Sequence, residues 1–432
     1  MRSTALILAL FCLPMVGCGG ASDADTTALQ PEDYGTLPGL AGSTSPKLRD
    51  ELARIVEEGG TPELLSQTSV ADGENVAAGL RDLFPEKKVV SILVESENIF
   101  PPGRFPPSPM RLQRAIGFRE KYDAERLRAR EALKRPQCDF GIRFTVGFMA
   151  DVRFIDVVRI CGRLEAFRAA EALADDKPNE AIESLELMLR LASCLAAEKH
   201  GQARAQAAFA RTEAFVVLQA VLQHEKTARR QVESLYQTVE SQLKAWPSDA
   251  EALIGDRALG MHAYEMVRTG ELVALLTNEE IEGFSKEAGP EQFVAAIQRN
   301  VDRDELYYLE TMRQIIDACR QRYYTRLELF NEIHDDLEAK ANLPEFPTVA
   351  ARILMPDIEK LQVMQAQDRA NWEACAVALA AAIGRQPLPY QVSPLTGKKY
   401  SCKRDGNYIV VGNFGTGLGD DLPMIYVPYL GD

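Results

Sequence analysis

The sequence predicts a mainly α protein: antiparallel helical hairpins, with a small β-hairpin module at the C-terminal end. Three observations carry that expectation. Apolar residues recur at steps of three and four over most of residues 110–383, the signature of helices with one buried face. Short polar breaks, such as Asp175-Asp176-Lys177-Pro178-Asn179, separate these stretches, and helices joined so tightly run antiparallel. After Gly384 the composition shifts to Pro, Gly and β-formers flanking Asp405-Gly406, a hairpin turn signal.

Composition supports a folded body. Of 432 residues, 46% are hydrophobic and 26% charged, which excludes a disordered or collagenous chain. Lys and Arg number 49 against 63 Asp and Glu, a formal charge of −14. That balance argues against a nucleic-acid surface, which needs clustered cations to displace counterions from phosphate. No run approaches the ~20 apolar residues of a membrane-spanning helix.

The N-terminal element is an address rather than a structure. Arg2 precedes an apolar stretch from Ala5 to Val16, broken at Pro14. It has the size of a signal-peptide core and is too short to span a bilayer. Met15-Val16-Gly17-Cys18 then resembles a bacterial lipobox. The resemblance implies removal of residues 1–17, lipidation of Cys18, export, and anchoring by acyl chains to a bacterial membrane in the periplasm or cell envelope. The alternative is a plain secretory signal in which Cys18 is incidental. Residues 18–45 follow as a flexible tether, with too few large apolar groups to offset their ordering entropy.

Six cysteines remain beyond the leader and Cys18: Cys138, Cys161, Cys194, Cys319, Cys375 and Cys402. They are widely spaced, with no CxxC and no zinc spacing, so buried free thiols are expected for most, although export permits disulfides.

Residues 46–109 form a small helical segment ending in a Pro-rich connection. Ser45-Pro46 is a helix start, Leu48, Leu52, Ile55 and Val56 make one face, and Gly59-Gly60 ends it. A short helix is expected over residues 74–84. Residues 89–94 fit a strand or a helical turn equally. Pro101-Pro102-Gly103 and Pro106-Pro107-Ser108-Pro109 mark a candidate subdomain boundary, or a surface loop within one unit.

The body, residues 110–386, opens with a long charged helix over 110–135. Its Arg119 to Arg135 part, interleaved with Glu120, Asp123, Glu125 and Glu131, reads as a salt-bridged exposed face. Amphipathic stripes follow at Ile182-Leu185-Leu189-Ala192, Val232-Leu235-Val239-Leu243 and Leu309-Met312-Ile316-Cys319-Tyr323. Breaks are expected near Lys199-His200-Gly201, at Trp246-Pro247-Ser248-Asp249, around Pro344 to Pro347, and at Pro356.

Residues 169–192, with small Ala170 and Ala174, a polar turn, then Ala181-Ile182 and a Leu-rich stretch, resemble one tetratricopeptide-type helix pair. No second copy recurs at that period, so an irregular array is implied. The order Cys138-Asp139-Phe140-Gly141, Gly147, helical pairs and Ser393 to Tyr400 resembles uncharacterised exported proteins of planctomycete bacteria. That resemblance implies no activity.

The C-terminal module, residues 387–432, contains Lys399 to Arg404 and Asn407 to Val411 around Asp405-Gly406, with Ile425-Tyr426-Val427 as a third strand. Its Pro394-Leu395-Thr396-Gly397-Lys398-Lys399-Tyr400, hairpin and Gly/Asp loop resemble the C-terminal end of type II secretion pseudopilins. The resemblance implies a weak Ca²⁺ site at Asn413, Asp420 and Asp421, against the alternative of a Gly-rich turn with solvated acids. The pseudopilin methylation motif is missing, so at most the hairpin module is shared.

Other chemistry finds little support. Gly415-Thr416-Gly417-Leu418-Gly419 is followed by Asp420-Asp421-Leu422-Pro423, where a dinucleotide loop would open a helix. His200, His224, His262 and His334 form no metal spacing, and His334 falls on the stripe Leu327-Phe330-His334-Leu337, as a core or boundary residue. Asp335-Asp336 reads as a solvated face. The expectation is a membrane-anchored, non-enzymatic lipoprotein whose helical body binds protein partners. The alternatives are an accessory of an envelope or secretion assembly acting through the hairpin, and an unrecognised hydrolase.

Overall fold

The computed structural model describes residues 45–67, 70–100, 105–271, 290–341, 349–355, 358–412 and 424–430, which form helices and one small sheet. Ser45 caps α1 (Pro46–Glu57) by accepting the Leu48 amide, and Leu48, Leu52 and Ile55 are buried on its inner face. Gly59, at φ 70°, ends that stretch. One helical turn at Pro62–Leu65 leads to α2 (Val76–Leu80), which Asn75 caps through the Ala77 amide. Residues 89–94 resolve as helix: they open α3 (Val89–Ile99), whose Val89, Ile92, Leu93, Ser96 and Ile99 recur at helical, not alternating, spacing on the buried side.

The long charged helix is two helices, α4 (Pro109–Lys121) and α5 (Asp123–Ala132), separated at Tyr122. Arg119, Arg126 and Arg130 turn inward, while Arg114 and Arg128 stay exposed. Arg130 forks onto Glu165 at 2.8 and 2.5 Å, Arg126 reaches the same carboxylate at 3.4 Å, and Arg119 pairs with Glu171 at 3.0 Å. Guanidinium groups tolerate partial burial because a planar fork matches a carboxylate. Residues on both sides of the Pro-rich connection, such as Ile92 and Phe118, share one hydrophobic core.

The centre is built from α6 (Phe154–Ala174), α7 (Pro178–Ala197) and α8 (Gly201–Gln223), packed side by side as antiparallel neighbours. The tight α6–α7 turn uses Asp176 at φ 61°. His200 caps α8 through Nδ1, which accepts the Ala203 amide at 3.3 Å. Next come α9 (Arg229–Lys244) and α10 (Asp249–Thr269), the latter capped by Ser248. Gly255 of α10 lies against the Lys199 carbonyl, leaving no room for a Cβ, so this closest approach of α10 to the α7–α8 turn requires glycine.

The chain then forms α11 (Pro290–Arg299), α12 (Val301–Ala318), α13 (Leu327–Ala341), a π-helical turn at Ala350–Leu354, and α14 (Ile358–Ala382). The third sequence stripe continues past α12: Cys319 is its C-cap and Tyr323 belongs to the following turn, yet both stay buried. Rather than extending an outward stack, α14 returns to pack on α8 and α9. Ala370, Ala374, Ala376, Ala378 and Ala380 are fully buried, and their small size permits close contact on several sides.

The tail forms β1 (Ser401–Asp405), β2 (Tyr408–Gly412) and β3 (Ile425–Pro428), an antiparallel sheet in that order. The turn sits one residue later than expected. Asp405 pairs with Tyr408, so Gly406 and Asn407 are central, and Gly406 alone has positive φ, at 57°. A glycine first with an ordinary second residue fits a type II′ turn. Ile409, Val411, Ile425 and Val427 face the core, and the sheet packs on α14 and α8, which supplies the support an isolated hairpin lacks. No strand pairs form between residues 150 and 340 among the described residues. The expected breaks at Pro344 to Pro347 and Pro356 lie outside the described residues.

A buried ion pair joins α8 to α14. Arg211 on α8 donates to Asp368 on α14 at 2.8 Å, each side chain 6% exposed, and its guanidinium lies 4.1 Å from the Trp246 ring centroid. Burial outweighs the arginine and pushes the Asp368 carboxyl up to about 6, so it remains ionised at neutral pH. Arg211→Met should lower unfolding free energy by about 3–5 kcal/mol, because it strands a buried carboxylate. Adding Asp368→Leu should restore most of that loss. Urea unfolding of both variants measures it.

Candidate functional site

The feature that best fits a binding site is an open cleft of about 180 Å³ at the C-terminal side of the body. Ile315 of α12 lies at its base. Phe330, Ile333, His334, Leu337 and Glu338 of α13 form one wall. Ala351 and Met355 of the π-helical turn, with Ile358 and Glu359 of α14, form the other. An apolar cavity of about 150 Å³ is enough to hold a benzene ring, so this cleft matches one large apolar side chain. Among the described residues, the face of α13 turned from the core is strongly acidic, with exposed Glu328, Glu332, Asp335 and Glu338.

Two devices hold the walls. Asp304 of α12, itself buried, accepts the Val349 amide at 3.0 Å and the Ala350 amide at 2.9 Å, and the Tyr264 hydroxyl donates to it at 2.7 Å. One carboxylate thus satisfies the leading amides of the π-helical turn. On the opposite wall, Arg326 donates to Asp249 at 2.7 Å and lies 5.8 Å from the Phe330 ring centroid. Asp249 also faces Arg204 at 3.6 Å, so the α13 wall is tied to the start of α10 and to α8.

Of the two places its stripe allowed, His334 takes the boundary one. It is exposed on the cleft rim rather than in the core, because the buried face of α13 runs through Phe330. Asp336 is not merely solvated: it accepts the Tyr307 hydroxyl at 2.6 Å and Lys340 Nζ at 2.5 Å. Cys18 and the proposed calcium ligands Asn413, Asp420 and Asp421 lie outside the described residues, as does the Gly415 to Gly419 loop. The cleft itself was missed. Its lining comes from three separated segments, and the only local signal was the short stripe through Phe330 and Leu337.

Carboxylates with raised pKa lie elsewhere. Burial pushes Glu198 up to about 8, Asp256 to about 7 and Glu305 to about 7. Each has an internal partner: Glu198 accepts the Phe140 amide at 3.0 Å, Asp256 accepts the Gly201 amide at 2.8 Å, and Glu305 pairs with Arg268. Among the described residues, no group of three His, Cys, Asp or Glu side chains is arranged to hold a metal ion, and no helix is long and apolar enough to cross a membrane. The described cysteines are all free; Cys161, Cys194, Cys319 and Cys375 are buried.

Comparison with known proteins gives no family. No family model, curated protein or solved structure matches the chain.

Asp304→Ala should cost about 3 kcal/mol, since two amides and a tyrosyl hydroxyl lose their buried acceptor. Hydrogen exchange should rise most at residues 349–355, and a uniform rise would contradict the local role. Glu198 gives a pH signature. Its folded pKa of about 8 lies above its ordinary 4.5, so the native state retains a proton that the unfolded chain releases. Its stability contribution is complete below pH 4.5 and is lost as pH rises toward 8, on the order of a few kcal/mol in all. Glu198→Gln keeps an acceptor for Phe140 and never ionises, so unfolding midpoints should become flatter over that window.

Proposed function

We propose that this chain is a lipid-anchored helical binding protein of the bacterial cell envelope. In this reading Cys18 carries the anchor, and the cleft between α13, the π-helical turn and α14 takes one apolar side chain of a protein partner. The observation that carries it is the cleft: an apolar lining open to solvent, on a helix whose outer face is acidic. Lining chemistry selects Phe or Leu, and rim charge selects Lys or Arg on either side of it. The motif at Met15 to Cys18 supports the anchor, and the acidic body supports acyl chains rather than charge as its means of attachment. The exposed Tyr408, Met424 and Tyr426 around the sheet favour a second reading, an accessory role in an envelope assembly through the hairpin module.

Two measurements test this. A labelled peptide with Phe between lysines should bind the full chain more tightly than the same peptide with Phe between glutamates, and Leu337→Asp should weaken it about tenfold. Equal binding of both peptides, or binding unchanged by Leu337→Asp, removes the cleft as the docking site. Cys18→Ser should move the protein from the membrane to the soluble fraction of the producing cell. An unmutated chain already soluble without detergent removes the anchor.

A further inference from the structure

A second place in the fold brings two reactive side chains together, far from the cleft. We propose that Cys138 and Cys194 close into a disulfide on meeting a disulfide oxidant, fastening the strap of residues 135–141 to the last turns of α7. The geometry comes from the bonds on either side of the pair. Arg190 of α7 donates to the Arg135 carbonyl at 2.7 Å, and the Phe140 amide donates to Glu198 at 3.0 Å. Between those two ties the helix rises about 12 Å, and an extended strap spans at most about 18 Å. The two segments therefore run alongside each other in the same direction, and Cys138 falls opposite Cys194.

The strap is also pinned on its other side. Asn75 donates to the Asp139 carbonyl at 2.8 Å and accepts the Asp139 amide at 3.0 Å, while the Val76 amide donates to the Gln137 carbonyl at 2.8 Å. The backbone is thus held at residues 135, 137, 139 and 140, so Cys138 has little freedom to move from its partner. Cys194 is 4% exposed in the core below α3 and α6, and Cys138 packs on that same core while remaining partly open to solvent. The neighbouring Cys194 thiol, together with burial, pushes the Cys138 thiol well up. Thiolate is therefore scarce at Cys138 near neutrality, so closure accelerates with pH.

The chemistry balances with an external disulfide, such as oxidised glutathione. The Cys138 thiolate, the accessible member, attacks one sulfur of the oxidant, forming a mixed disulfide and releasing one thiolate. The Cys194 thiolate then attacks the Cys138 sulfur and releases the second. Two protein thiols lose two electrons, the oxidant's sulfur–sulfur bond gains them, and the two protons end on the two released thiols. The product links α7 to the strap that α2 already holds, closing the 138–194 loop through α6.

The test uses the full chain, purified reduced and then treated with excess oxidised glutathione at pH 8. Remaining thiols are alkylated in denaturant, and the digest is read by mass spectrometry without reduction. One linked pair of peptides carrying Cys138 and Cys194 is expected, with two fewer alkylated thiols per chain. Thermal unfolding of the oxidised protein should shift up by about 5 °C. That shift should be absent from Cys138→Ser and from Cys194→Ala. Finding both residues alkylated, both as glutathione adducts, or linked to other cysteines overturns the proposal. The peptide result on the unmutated chain stands whether or not the variants fold.

Discussion

The return of α14 and the placement of α13 depend on a line of buried charge that begins at the Arg211–Asp368 pair. Two ions taken from water must each find a partner or destabilise the fold by several kcal/mol. Here the partners lie on α8 and α14, 157 positions apart in the chain, so satisfying them fixes where the last helix returns. The Trp246 ring beneath Arg211 covers the guanidinium face without competing for its edge. The line continues from Arg204 through Asp249 to Arg326. Hydrophobic burial supplies most of the driving force, but apolar contact has no direction. The charged line adds direction, and it selects one docking of α14 among those its all-round alanine surface would permit.

The cleft inherits its shape from that line. Arg326 sits against Tyr323 and Phe330, so the α13 wall is set by the same contacts that place the start of α10. The other wall hangs on Asp304, whose two oxygens hold the π-helical turn. A π-helical turn widens the backbone and places its side chains off the ordinary helical register. Ala351 and Met355 thereby line the cleft. The lining is thus a consequence of buried polar geometry on both sides. That is why three stretches with unremarkable sequences make a concave surface.

Legibility in the sequence follows the range of the physics. Stripes such as Val232-Leu235-Val239-Leu243 were readable because helix periodicity and burial act over a few residues, and all four are buried. The sheet was readable for the same reason, down to its third strand, although the turn type depended on which residue pair closed it. Arg119, Arg126 and Arg130 turn inward although charge ordinarily marks solvent. They lie on the same face as Ala115, Phe118 and Ala129, which was the available sign that they turn inward. The stripe left His334 between core and boundary, since a stripe says which residues share a face and not how far along it the core extends. No local rule reaches Asp304 or the pairing of Arg211 with Asp368, because their partners are distant in the chain.

The shifted carboxylates bear on the hydrolase alternative. A perturbed carboxyl marks a catalytic site when its perturbers converge on a space where substrate can sit. Glu198, Asp256, Glu305 and Asp368 are shifted chiefly by burial, and each spends an oxygen on a partner that holds two elements together. Asp256 ties α10 to the first amide of α8, Glu305 ties α12 to α10, and Glu198 ties α7 to the strap. None lines the cleft. Among the described residues, these shifted carboxylates therefore serve internal joints, while the cleft presents apolar shape beside an acidic helix face.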